Sequence, residues 1–122
     1  MRKLLIVGFS LLFVLVFSMC NKDKTEKLIE LPDYCTDTVS FIASIKPIFD
    51  MNCSTSGCHD AATNSAGYTL VGYEDIFSEA EASLEAMQHN PSRVAMPYLT
   101  AKLSDSIIQK LECWILQGKL NN

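Results

Sequence analysis

The chain has 122 residues, 48% of them hydrophobic, with ten Lys or Arg against fourteen Asp or Glu and a formal charge of −4. An acidic balance with no basic cluster excludes nucleic acid as an expected partner, because phosphate binding needs a positive patch. The length suits one small domain, whose core would gain much from a covalent staple or a cofactor.

Arg2 and Lys3 precede an uncharged apolar run, Leu4 to Met19, that stops at Cys20 and the polar NKDKTE. This is the build of a bacterial export signal. Ending at a cysteine, it predicts a lipoprotein: residues 1–19 a signal peptide, Cys20 acylated, and residues 20–34 a flexible tether. An uncleaved anchor is the alternative, although the run is short for a bilayer span. Either way residues 35–122 face an oxidising compartment. The expected location is the cell envelope, periplasm-facing, at the outer membrane. Without the leader, eight Lys or Arg stand against fourteen Asp or Glu, a net charge of −6.

The first helix is expected within SFIASIKPIFDMN, where Phe41, Ile42, Ile45, Ile48 and Phe49 share one helical face. Pro47 must lie near the first turn, so the start is placed at Ile42 to Ser44. That helix delivers the chain into CSTSGCH, with Cys53 and Cys58 separated by four small, turn-forming residues and His59 directly following. Residues 60–72 read as loop. The second helix, Tyr73 to Gln88, places Tyr73, Ile76, Phe77, Ala80, Leu84 and Met87 on one arc. Glu74, Asp75, Glu79, Glu81 and Glu85 lie off it, either as a solvated face or as a docking surface for a basic partner. Two prolines then break helicity and put His89 and Met96 in or beside a loop. The third helix has Ser104 as N-cap and Gly118 as terminator, with Ile107, Ile108, Leu111, Trp114 and Ile115 on its apolar arc. Three helices joined by long loops predict an all-α fold.

Five cysteines leave four once Cys20 carries lipid. If Cys53 and Cys58 form one unit, Cys35 and Cys113 remain for a disulfide, and Cys113 on the flank of its helix suits that role; two free thiols are the alternative. CSTSGCH itself has three readings. Structural zinc needs a second ligand pair that the chain does not supply nearby. A plain disulfide between Cys53 and Cys58 is possible but leaves His59 without a role. A haem c site uses all three residues: two thioether anchors, and a histidine carried beneath the iron. Such an iron needs a distal ligand. Met96, followed by Pro97, is the first candidate and His89 the alternative; Met87 reads as core, and Met51 lies too near the cysteine loop.

The stretches IKPIFDMNCSTSGCHDAA, YEDIF, AMPY and LSDSIIQKLECWILQGKLNN resemble the small c-type cytochrome lipoproteins of Bacteroidetes-like bacteria, related to the class I cytochromes c. The resemblance spans Val39 to Asn122 and departs from the commonest pattern in its four-residue spacing. It implies a cytochrome c-like fold of three main helices round one covalent haem c, with a final helix packed across the first. Residue by residue it implies Cys53 and Cys58 as thioether anchors, His59 as proximal and Met96 as distal ligand. The implied function is electron transfer between redox partner proteins, not enzymatic catalysis, with membrane attachment through the lipid. The rivals are a haem-free, disulfide-stabilised binding module and an open-site haem protein of peroxidase-like or gas-binding type.

Overall fold

In the computed structural model residues 30–122 are described; the expected signal peptide, Cys20 and the tether as far as residue 29 lie outside them. Among the described residues there are helices and no strands, an all-α arrangement. A π-helical turn, Phe41–Ile45, runs into the α-helix Lys46–Asn52, and the two together form α1. A short 3-10 turn, Ser65–Gly67, precedes α2, Tyr73–Met87, and the chain ends with α3, Asp105–Leu116.

The helix α1 starts at Phe41, one residue before the expected range, and the proline is the reason. Ser40 caps it, its Oγ accepting from the Ala43 N–H at 3.2 Å. The next turn is widened: Ile45 N–H reaches back to the Ser40 carbonyl and Lys46 N–H to Phe41. Pro47 then falls in the first turn of the α-helical segment, where its missing N–H costs least and its ring escapes the carbonyl four residues back. Lys46 and Asp50 pair one turn apart at 2.7 Å on the outer face.

Three apolar arcs converge on one core. Ile45 and Phe49 from α1, Ile76, Ala80 and Met87 from α2, and Leu111 and Trp114 from α3 are almost wholly buried. Phe41, Tyr73 and Trp114, one aromatic from each helix, meet with ring centroids 5.1 to 6.3 Å apart. Edge-to-face and tilted contacts of this kind add to area burial. The polar tips are satisfied too, Trp114 Nε1 donating to the Leu120 carbonyl and the Tyr73 hydroxyl to that of Lys119. Phe77, on the same arc of α2 in the sequence, lies at its edge instead; it is 37% exposed, with Lys119 Nζ 4.2 Å above its ring.

The segment ahead of α1 is laid along α3. Gln117 joins them twice, accepting from Val39 N–H and donating to the Asp37 carbonyl, each at 2.8 Å. Tyr34 donates to Glu112 at 2.8 Å. Cys35 and Cys113 are disulfide-bonded with Cα atoms 5.4 Å apart. Cys113 is off the apolar arc, yet buried, because residues 34–39 cover that flank.

Both long helices end alike. Beyond Leu116, Gly118 is left-handed, its N–H reaching Ile115 while Lys119 N–H reaches Trp114. Beyond Met87, His89 N–H bonds the Ala86 carbonyl and Asn90 N–H that of Glu85. These paired bonds close a helix around a left-handed residue, which is usually glycine. At the end of α2 that residue is His89, at φ +57°. Ser104 is the N-cap of α3, as expected, and Gly72, which the sequence did not single out, is that of α2. The Ser104 hydroxyl pairs with Ser106 instead of the backbone, and Gly72, which has no side chain, is held by the Asp75 carboxylate. Among the described residues no helix is long and apolar enough to cross a membrane.

Candidate functional site

The segment from Cys53 to Leu70 is organised by its own backbone. Cys53 N–H closes the end of α1 on the Phe49 carbonyl, and His59 N–H returns to the Cys53 carbonyl at 3.0 Å. The four intervening residues are thereby looped out: Thr55, Ser56 and Gly57 are exposed, while Ser54 Oγ turns in to the Leu70 carbonyl. The His59 carbonyl accepts from Leu70 N–H at 2.9 Å, two residues before the cap of α2. Asp60 holds the outer side of the loop, its carboxylate accepting from the N–H groups of Gly57, Ala62 and Thr63 and from the Thr63 hydroxyl. The Thr63 backbone N–H, first among these donors, keeps the Asp60 carboxyl below its ordinary pKa although burial opposes it.

The His59 ring is fixed by a backbone group. Its Nδ1 lies 3.1 Å from the Tyr68 carbonyl oxygen. A carbonyl can only accept, so Nδ1 carries the proton and, in the neutral ring, Nε2 keeps a free lone pair. This is the tautomer a histidine needs to ligate a metal through Nε2, with the second nitrogen held by an outer partner. Two free thiols stand in the same loop, Cys53 buried at the edge of the core and Cys58 exposed. Burial, and next the negative charge of an ionised Cys58, push the Cys53 thiol up to about 12. It is a neutral thiol at physiological pH, suited to an apolar thioether and unsuited to nucleophilic catalysis.

The other expected donors sit at the far end of α2. The Ala86 carbonyl accepts from both His89 and Met96 N–H groups, at 3.1 and 3.0 Å, so these two residues are neighbours. Met96 is half-buried in a nonhelical segment, and His89 Nε2 is buried without a hydrogen-bond partner. No hydrogen bond joins this pair to the cysteine loop among the described residues. The structure therefore brings Cys53, Cys58 and His59 together on one loop and Met96 and His89 together on another.

The donor set fits a haem better than a bare metal. Among the described residues no three His, Cys, Asp or Glu side chains gather round a point that could hold an ion, as zinc would require. A haem iron brings four nitrogens of its own and asks the protein for one or two axial donors. The segments that carry the donors also hold large apolar side chains in the open: Met51 is 70% exposed, Tyr98 65% and Leu99 87%.

No protein-family model, curated protein or solved structure matches this chain. The resemblance to c-type cytochromes thus rests on the residues themselves. The sequence did not single out Asp60 or Tyr68. Asp60 had a signal, an Asp three residues beyond a glycine with Thr63 three residues on, as in side-chain-to-backbone turns. Tyr68 had none, since it acts through its carbonyl.

Of the five carboxylates on α2, Glu81 pairs with Lys119 at 2.9 Å, Glu85 with Arg93 at 2.9 Å, and Asp75 serves the helix start. Glu74 and Glu79 make no ion pair among the described residues. The acidic face left for a partner is narrower than the sequence suggests.

Proposed function

We infer that this chain is a haem c electron carrier of the bacterial envelope, cytochrome c-like in architecture and not an enzyme. Cys53 and Cys58 would hold one haem through thioethers, His59 Nε2 would take the proximal position on iron, and Met96 the distal one, with His89 the alternative. The observation that carries this reading is the hydrogen bond from His59 Nδ1–H to the Tyr68 carbonyl. It leaves the ligating nitrogen free, in a loop whose backbone fixes the histidine directly after Cys58.

The haem, when bound, supplies a ferrous and ferric couple that passes one electron at a time. The residues of the chain decide how that couple is used. With His59 and Met96 both held as ligands, the iron would have no position left for substrates or gases. A methionine donor raises the potential relative to a pair of imidazoles. Glu74 and Glu79, with the net charge of −6, favour redox partner proteins that present a basic surface. Attachment to the membrane would be through lipid on Cys20.

One observation favours a second reading. The core round Trp114 is closed by protein side chains alone and covered by the Cys35–Cys113 segment, so a haem-free binding module would also fold. Expression with cytochrome c maturation machinery, followed by a pyridine haemochrome spectrum and an intact mass, separates the two. The expected result is one haem per chain that survives denaturation. Protein purified without Soret absorption would falsify the electron-carrier reading. A high-spin ferric spectrum would point instead to an open distal site.

A further inference from the structure

The four-residue spacer between Cys53 and Cys58 sets a problem of closure. Two extra residues must be folded away if Cys58 and His59 are to return to the place that a shorter loop would reach directly. Backbone bonds fold them away, His59 N–H to the Cys53 carbonyl and Cys58 N–H to that of Thr55, each at 3.0 Å, and Asp60 braces the bulge from its outer side. One carboxylate oxygen accepts from Gly57 N–H at 3.2 Å, on the rising side of the bulge, and the other from Ala62 N–H at 2.8 Å, on the far side. Thr63 closes the ring, its hydroxyl accepting from Gly57 N–H at 3.1 Å and donating to Asp60 at 3.2 Å. Gly57 itself is left-handed, at φ +86°, with no atom near the place of a Cβ. Its conformation is part of the bulge, and its N–H is shared there between Asp60 and the Thr63 hydroxyl that Asp60 holds.

We propose that Asp60 is a positioning residue for haem attachment, bracing the Ser54–Gly57 bulge at Gly57 so that the Cys58 thiol comes within reach of a porphyrin vinyl group. This rests on the haem reading above. In that step the Cys58 sulfur bonds to one vinyl carbon and its proton passes to the other; the carbon–carbon double bond becomes single, and no oxidant, reductant or leaving group is involved. Cys53, fixed at the end of α1 ahead of the bulge, does not depend on Asp60.

The test uses the full chain, expressed with cytochrome c maturation machinery, and counts unreacted thiols by alkylation and mass under denaturing conditions. The haemochrome band, which moves to longer wavelength when a vinyl group is left unsaturated, gives a second readout. Wild type is expected with both thiols consumed. Asp60→Ala is expected to keep the Cys53 thioether while the share of chains with free Cys58 rises roughly tenfold or more, the change expected for losing charged hydrogen bonds that close a loop. In a variant lacking Thr55 and Ser56, whose spacer needs no bulge, Asp60→Ala is expected to change nothing. The proposal is overturned if Asp60→Ala still consumes both thiols, if it loses both thioethers together, or if its effect is as large in the shortened loop. Wild type without covalent haem overturns the haem reading and this proposal with it; wild type with haem and an unaffected Asp60→Ala overturns this proposal alone.

Discussion

The two ends of this small protein are built on different principles. At one end three aromatic rings, a disulfide and the carboxy-terminal residues lock the helices to each other. There Asn122 accepts from Ser40 Oγ and from the N–H groups of Phe41 and Ile42. At the other end the chain leaves α1 and α2 in loops held by backbone hydrogen bonds and one carboxylate, with large apolar side chains exposed. The first end needs nothing else to be complete. The second is held by bonds local to each loop, with His89 Nε2 the one buried polar side-chain atom among the described residues that has no hydrogen-bond partner.

That contrast is open to experiment. The largest effect is expected from Trp114→Ala, which removes a fully buried ring touching Phe41 and Tyr73. It should cost about 3–5 kcal/mol in urea unfolding, as aromatic truncations in a core do; a loss below about 1 kcal/mol would mean that the aromatic end is not the anchor. Next comes the double variant Cys35→Ser with Cys113→Ser. The bridge closes a loop of 78 residues in sequence, for which chain entropy predicts about 4 kcal/mol. The loss should appear in the melting temperature, with the haemochrome spectrum unchanged in whatever protein remains folded.

At the loop end the effects should be spectroscopic. Met96→Ala is expected to abolish the weak red charge-transfer band of methionine-ligated ferric haem and to lower the potential. His89→Gly should leave both unchanged. It should also stabilise the chain by up to about 1 kcal/mol, because glycine adopts the left-handed conformation without a steric cost. If the band survives Met96→Ala and is lost in His89→Gly, the assignment of distal ligand is reversed.

The smallest effect is a pH dependence at the closed end. Burial raises the Glu81 pKa, but the hydrogen bond and charge of Lys119 outweigh it, so the net shift is downward. A depressed carboxyl pKa contributes stability that is present above the unfolded value, near 4.3, and is lost as pH falls through the folded one. Glu81 is largely exposed, so the contribution should stay below about 1 kcal/mol. Titration of the Glu81 carboxyl by NMR should show it below its ordinary value, and Lys119→Met should bring it back up. No difference between the two proteins would remove Lys119 from the account.

What could be read from the sequence follows the same division. The apolar arcs of α2 and α3 were legible because burial imposes a helical period on residue type, and α2 ends within one residue of the expected place. The stop at Gly118 was legible because glycine is the usual answer to a left-handed position. The stop at His89 solves the same backbone problem with a residue that gives no such signal. The π-helical turn was hidden, since Pro47 announces that the helix must adjust but not how. In the candidate site, the sequence displays Cys53, Cys58 and His59 as a group, while what orients the histidine is a main-chain carbonyl, equally available at every position. Composition reveals side chains that act as side chains; it is silent about backbone atoms that do the same work.

The bond between Cys35 and Cys113 has a mechanical consequence as well. A pull applied to the chain ahead of residue 35 passes through sulfur into the last turn of α3 instead of along the backbone into α1. The peptide between these cysteines lies inside a covalent ring that carries no tension from such a pull. The cysteine loop and the Met96 segment both lie within that ring, so drag on a leading tether would strain the last helix before it disturbed either set of donors.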